Sequence, residues 1–146
     1  MKPSNQRFIL LSALIGTTTG FGLCFDTAAA QSNRAIFTQE QADLGRSGYL
    51  VDCASCHNAD LSGGSAPALI GQTFKTNWGK HTVADLYTYM KGMMPMCDGG
   101  SLSDSEYRDI LAFILSKNGA VTGLQELTPT ATTTIDNIIV HVHDAH

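Results

Sequence analysis

The chain has 146 residues, of which 43% are hydrophobic and 15% are charged, and its formal net charge at pH 7 is −4. This length is typical of one domain, and the composition excludes both an intrinsically disordered chain and an integral membrane protein. Basic residues do not cluster in the sequence. We therefore expect neither nucleic acid nor an anionic membrane surface among its partners.

The first 30 residues have the pattern of an export signal. Lys2 and Arg7 precede the apolar run FILLSALIG, and the small residues of TAAAQ follow. This order predicts a signal peptide over residues 1–30, cleaved between Ala30 and Gln31, and hence a periplasmic protein. An uncleaved anchor is the alternative, but TTTG interrupts the run well short of the ~20 apolar residues that a membrane span needs. We expect no membrane span after cleavage.

The remaining residues, 31–146, are predicted to form one domain, with a core over about 38–119 and a tail over 120–146. The first helical pattern in it is FTQEQADLGRSGYL. Thr38 is placed to cap this helix, with Gln41 reaching back to the cap as in a capping box.

The motif CASCH, Cys53 to His57, follows this helix directly. Two cysteines three positions apart can each add to one vinyl group of a haem, and the next histidine is then held beneath the ring, where its imidazole can bind iron. The pattern is specific for covalent attachment of haem c. We predict one haem c, attached through Cys53 and Cys56, with His57 as an iron ligand.

Other chemistries can also use this motif. Loss of Cys24 with the leader leaves three cysteines, which cannot all pair in an oxidising compartment. A thioredoxin-like dithiol needs a preceding strand, and here a helix precedes the motif. A zinc site needs four ligands, so Cys97 and His81 would have to complete it. A disulfide within the motif would close a very small loop and leave His57 unexplained.

Two further helices are predicted after a Gly- and Pro-bearing connection, NADLSGGSAPALIGQTF. In TVADLYTYMKG, Thr82 is a candidate cap. In SLSDSEYRDILAFILSKNG, Ser103 and Glu106 form a capping box, and Asn118 and Gly119 end the helix. The apolar faces of the two helices consist of Val83, Leu86, Tyr87 and Met90, and of Tyr107, Ile110, Leu111 and Ile114. The predicted fold class is all-α, with three to five short helices and long loops around one covalent haem.

The loop GMMPMCDGG between these helices is rich in sulfur. A haem iron with one histidine ligand needs a second, and a thioether raises the reduction potential. Pro95 favours an extended backbone in the residue before it, which suits a side chain that projects towards a haem. That residue is Met94, our predicted second ligand. Met96, after the bend, is the next candidate, and Met93 is expected to be packed near the preceding turn.

Two features receive no function from the sequence. Cys97 is expected to be a buried, inert small hydrophobe, with pairing to another chain as the alternative. The Thr-rich tail is expected to be a strap or a loose end. Its final histidines, His141, His143 and His146, are expected to lie in a frayed terminus, although they could bind a transition metal weakly.

Residues from about 38 to 119 resemble class I c-type cytochromes, the small monohaem electron carriers. More narrowly, CASCHNADLSGGSAPALIG, FKTNWGKHTVADLYTYM and GSLSDSEYRDILAFIL resemble the haem domains and partner cytochromes of quinoprotein alcohol dehydrogenases. The resemblance implies that the first and last helices cross near the haem, where Gly45 and Tyr49 would face Tyr107 and Leu111.

The resemblance also implies roles around the cofactor. The carbonyl of Pro67 would accept the Nδ1 proton of His57, which fixes the ring and raises its basicity. Leu69 would pack on the haem edge and Trp78 would lie near a propionate, with a plain core aromatic as the alternative for Trp78. The ligand of the family is a methionine followed by proline, which agrees with Met94. Where the family often has Pro and Gly after the ligand, this loop has Met96, Cys97, Asp98 and Gly99.

The predicted function is one-electron transfer, because an iron with both axial positions filled by protein has no place for a substrate. A five-coordinate haem protein that binds gas or reduces peroxide is the alternative. By resemblance, the donor is a quinoprotein alcohol dehydrogenase and the acceptor a cytochrome or a terminal oxidase. Cleavage of the leader removes Lys2, Arg7 and Asp26 and takes the formal charge from −4 to −5. Charge is expected mainly to set the rate at which the protein encounters its redox partners.

Overall fold

The computed structural model describes residues 36–139. The predicted signal peptide, Cys24 and the three histidines of the tail lie outside the described residues. Within them the chain forms five α-helices and one 3₁₀ helix, and it has isolated bridges but no strand. The prediction of an all-α fold with three to five short helices is confirmed for these residues. In this part of the chain, no helix is long and apolar enough to cross a membrane.

The three longest helices agree with the predicted patterns, and two shorter α-helices lie outside them. The helices are α1 (Gln39–Asp52), α2 (Ala54–His57), α3 (Gly71–Trp78), α4 (Val83–Met93), α5 (Asp104–Lys117) and the 3₁₀ helix (Ile135–Asn137). Three of them, α1, α4 and α5, correspond to the three patterns. Helix α3 begins inside the segment predicted to be a loop. Phe74 is its only buried residue, and the helix has only eight residues, fewer than the window of about 11–18 residues over which a helical period is recognised.

Side chains fix the ends of α4 and α5 as their sequences predict. Ser103 accepts from the Glu106 amide and the Glu106 carboxylate accepts from the Ser103 amide, which completes a capping box. Thr82 and Asp85 form the same arrangement at α4. The apolar faces predicted for both helices are buried. Gly119 ends α5 with a φ of 89°, a left-handed conformation that favours glycine.

The cap of α1 differs from the prediction. Thr38 does accept from the Gln41 amide at 3.1 Å, but the side chain of Gln41 does not return to the cap. It is 5% exposed, donates to Asp109 Oδ1 at 3.3 Å and accepts from the Leu127 amide at 2.7 Å. The predicted capping box is wrong here, because the side-chain amide of Gln41 is instead hydrogen-bonded to Asp109 on α5 and to Leu127 in the chain after it.

Helices α1 and α5 form the most extensive helix contact. A Cβ added to Gly45 would lie 1.7 Å from the carbonyl oxygen of Asp109, so only glycine permits this backbone approach. The ring of Tyr49 lies 5.3 Å from that of Phe113. The close approach predicted at Gly45 is therefore confirmed, and the backbone that it meets is that of Asp109 and Ile110.

Residues 120–139 form a C-terminal strap that packs along the helices. The Gly123 amide donates to the Phe37 carbonyl, and the carbonyl of Thr133 accepts from the first amide of α4, Val83, at 3.0 Å. The strap buries three large side chains completely or almost so: Leu127, Ile135 and Ile138. Of the two forms predicted for this segment, the strap is the one observed.

Replacing Leu127 by alanine is expected to lower the free energy of unfolding of the holoprotein by about 2–5 kcal/mol, because the side chain is fully buried. Leu124→Ala is the matched control in the same strap, since Leu124 is fully exposed and its loss should change stability by less than about 0.5 kcal/mol. Denaturant titration of the three proteins measures both values. Equal stabilities for all three would contradict a packed strap.

Candidate cofactor site

A cavity of about 570 Å³ opens between the CASCH motif, α3, α4 and the loop of residues 94–100, which we call the methionine loop. Its volume and its mainly apolar lining are typical of cofactor sites, which measure about 300–1,000 Å³. Every site residue predicted from the sequence lines it: Cys53, Cys56, His57, Pro67, Leu69, Trp78 and Met94. The structure thus brings together residues that are distant in sequence. Cys53 and Met94, for example, are 41 positions apart.

The turn between α1 and α2 places the motif at the cavity. The Cys53 amide donates to the last turn of α1, at the Tyr49 carbonyl, and the carbonyl of Cys53 accepts from the amides of Cys56 and His57 at 3.2 and 3.0 Å. This one short helical turn puts two sulfur atoms and an imidazole on the wall of the same cavity.

The two thiols of the motif are free and differ in acidity. Burial, together with the nearby carboxylate of Asp52, raises the pKa of Cys53 to about 11. Hydrogen bonds from the hydroxyls of Ser65 and Ser55 lower the pKa of Cys56. The described residues contain no group of three or more His, Cys, Asp or Glu side chains that could hold a metal ion, as the zinc alternative would require.

His57 is buried, 8% exposed, and its Nδ1 lies 2.7 Å from the carbonyl oxygen of Pro67. Since a carbonyl can only accept, this hydrogen bond requires the proton on Nδ1, and in the neutral imidazole Nε2 then carries the lone pair. The loop that carries Pro67 is itself held, because the Ala66 amide donates to the Cys56 carbonyl and the Leu69 amide donates to the Leu61 carbonyl.

Met94 directly follows α4. Its amide donates to the Met90 carbonyl at 2.8 Å, and its backbone is extended, with φ −127° and ψ 145°. The extended conformation predicted from Pro95 is confirmed. Met96 also lines the cavity but is 70% exposed. Met93 was expected to be packed, which is wrong: it is 56% exposed, since it is the last residue of α4 and lies beyond the last buried residue of that helix, Met90.

Cys97 lies on the surface, with a φ of 71°. The expected burial of this thiol is wrong. The Asp98 amide donates to the Pro95 carbonyl, and the Ser101 amide donates to the Asp98 carbonyl. These consecutive tight turns carry residues 96–100 outwards, so the thiol has no core to enter.

Trp78 and Leu69 are both half-buried at the cavity wall. The indole ring packs against His81 and Tyr89, at centroid distances of 5.4 and 5.0 Å. Leu69 packs against the core, and its carbonyl accepts from the side-chain amide of Asn118 at 2.9 Å.

The comparison with known families can now be stated. Residues 40–114, which are 75 of the chain's 146 residues, match the family described as cytochrome C oxidase, cbb3-type, subunit III. The chain belongs to this family of c-type cytochromes. No curated protein matches this cytochrome.

A c-type cytochrome carries haem c, and the residues of this cytochrome fit that group. The cavity has a volume of about 570 Å³ and a mainly apolar wall, and among the described residues that line it Asp52 alone carries a carboxylate. Its donor atoms are two free thiols, an imidazole with one free nitrogen and methionine thioethers. These are the atoms that attach and ligate a haem c.

The structure adds lining residues that sequence reasoning did not assign to the site. They are Phe74, Leu86, Tyr89, Met90 and Ile114. Met96, the second candidate for the iron ligand, lines the cavity as well. The apolar periodicity of α4 and α5 predicts the burial of Leu86, Met90 and Ile114, but periodicity does not show which cavity they line. Apolar periodicity does not predict that Tyr89 belongs to the site, because this residue is 43% exposed.

Proposed function

We propose that this cytochrome is a periplasmic one-electron carrier that holds a single haem c through Cys53 and Cys56, with His57 and Met94 as the iron ligands. The observation that supports this proposal is that one apolar cavity unites both thiols, the imidazole and the thioether. The bound haem supplies an iron that accepts and returns one electron.

The chain's own residues would set the properties of that iron. The Pro67 carbonyl holds the His57 ring by its Nδ1 proton, which fixes the ring and raises its basicity. The Met94 thioether favours a high reduction potential. Apolar side chains such as Leu69, Leu86 and Ile114 line the cavity and would shield a bound haem from water. With histidine and methionine both engaged, no position is left for a substrate.

Visible spectra of the holoprotein test the carrier role. We expect sharp ferrous bands, a weak long-wavelength sulfur-to-iron band in the ferric protein, and almost no spectral change when carbon monoxide is added to the ferrous protein. A strong response to carbon monoxide would instead support the five-coordinate alternative, a protein that binds gas or reduces peroxide.

The periplasmic location is supported by the signal pattern of residues 1–30. Mass spectrometry of the coloured protein from a periplasmic extract should give an N-terminus at Gln31. Recovery of the coloured protein with residues 1–30 still attached would contradict the proposed cleavage.

For partners, we propose a quinoprotein alcohol dehydrogenase as donor and a cytochrome or a terminal oxidase as acceptor. The donor is supported by the resemblance of the segments around CASCH and α5, and the acceptor by the family description, which names a cytochrome oxidase subunit. Stopped-flow mixing with such a dehydrogenase should reduce the haem when alcohol is added. An unreduced haem would reject this donor while leaving the carrier role in place.

A further inference from the structure

The hydroxyl of Tyr107 joins the two ends of the methionine loop, residues 94–100. It donates to the carbonyl of Met94 at 2.6 Å and accepts from the amide of Gly100 at 3.0 Å. Tyr107 itself is 1% exposed and belongs to α5. One buried hydroxyl on the most buried helix therefore fixes the backbone at both ends of this exposed loop.

The remainder of the loop depends on short-range contacts. Backbone hydrogen bonds from Asp98 to Pro95 and from Ser101 to Asp98 form two tight turns. The far end closes directly on α4, since a Cβ added to Gly99 would lie 2.3 Å from the Gly92 carbonyl oxygen. These contacts give the loop its shape, whereas the bond from Tyr107 ties the Met94 backbone to the core.

We propose that Tyr107 is a positioning residue for the methionine ligand: its hydroxyl holds the Met94 backbone so that the thioether stays directed at the iron. This inference rests on the proposed function, in which Met94 is that ligand. Movement of the Met94 backbone away from the cavity breaks the bond to its carbonyl and leaves the buried hydroxyl without an acceptor, which is costly. The hydroxyl therefore opposes replacement of Met94 by an external ligand.

The first test is Tyr107→Phe in the holoprotein, which removes the hydroxyl and keeps the ring. Titration of the ferric protein with imidazole, followed by loss of the sulfur-to-iron band, measures how easily Met94 is displaced. We expect imidazole to bind about tenfold more tightly to the variant, which corresponds to about 1.4 kcal/mol. Without imidazole, the variant should keep the band.

Tyr49→Phe is the matched control. Tyr49 is also fully buried, and its hydroxyl also donates to a backbone carbonyl, that of Asn58, at 2.7 Å. Both variants should lose stability to a similar extent, but Tyr49→Phe should leave the imidazole affinity unchanged. An equal increase of the imidazole affinity in both variants would mean that Tyr107 acts only through the stability of the fold, and the proposal would be wrong.

A second measurement does not depend on ligand binding. The Gly100 amide donates to the Tyr107 hydroxyl, so its hydrogen exchange should be slow in the wild-type holoprotein and at least about tenfold faster in Tyr107→Phe. Fast exchange in the wild type would overturn the proposal even if the variant did not fold. A wild type without the sulfur-to-iron band would overturn the Met94 assignment, whereas a wild type with the band and an unchanged variant affinity would overturn only the role of Tyr107.

Discussion

Replacing both Cys53 and Cys56 by serine is expected to abolish covalent attachment of haem. Both thiols line the cavity and neither is engaged in a disulfide, so each is available to a vinyl group. Serine has nearly the same size but cannot form the thioether. In a denaturing gel stained for haem, the wild-type chain should carry the colour, and the double variant should carry none.

Cys97→Ser is the control for this experiment. It makes the same chemical change at the third cysteine of the described residues, which is exposed on the methionine loop. It should retain a full complement of covalent haem. A coloured double variant, or a colourless Cys97→Ser variant, would contradict attachment through the CASCH motif.

The sequence was sufficient to predict that the residues of the CASCH motif lie together, because their placement is local. Cys53, Cys56 and His57 occupy one helical turn, and their relative placement follows from five consecutive residues. Similarly, Pro95 restricts the backbone of its direct neighbour, and the extended conformation of Met94 is the one observed. The helices with clear periodicity and capping boxes, α4 and α5, were predictable for the same reason.

The errors occur where tertiary contacts decide. Gln41 has the right spacing for a capping box, yet its side chain bonds to Asp109 and Leu127, which are distant in sequence. Cys97 has the character of a core residue, but the loop turns outwards before it. Tyr107 was predicted to lie on an apolar face and to face the first helix, with no role for its hydroxyl. Its hydroxyl bonds depend on how the loop folds over α5, which no local pattern shows.

Among the methionines of the site, Met94 is expected to be the one whose replacement changes the iron. Met94→Ala should abolish the sulfur-to-iron band, lower the reduction potential and make the ferrous iron bind carbon monoxide. The reason is geometric: Met94 combines an extended backbone, a half-buried position and a place in the cavity wall. Spectra and potentiometry of the holoprotein measure all three effects.

The other methionines supply the controls, because each lacks one of these properties. Met93 does not line the cavity, and Met96 lines it but is mostly exposed, so both alanine variants should keep the band. Met90 is buried and lines the cavity from within α4. Its helical backbone is held by the hydrogen bonds of α4, so Met90→Ala should cost stability, about 2–5 kcal/mol, and leave the ligand in place. Loss of the band in Met90→Ala or Met96→Ala, with the band retained in Met94→Ala, would transfer the ligand role to that residue and would also remove the basis for a positioning role of Tyr107.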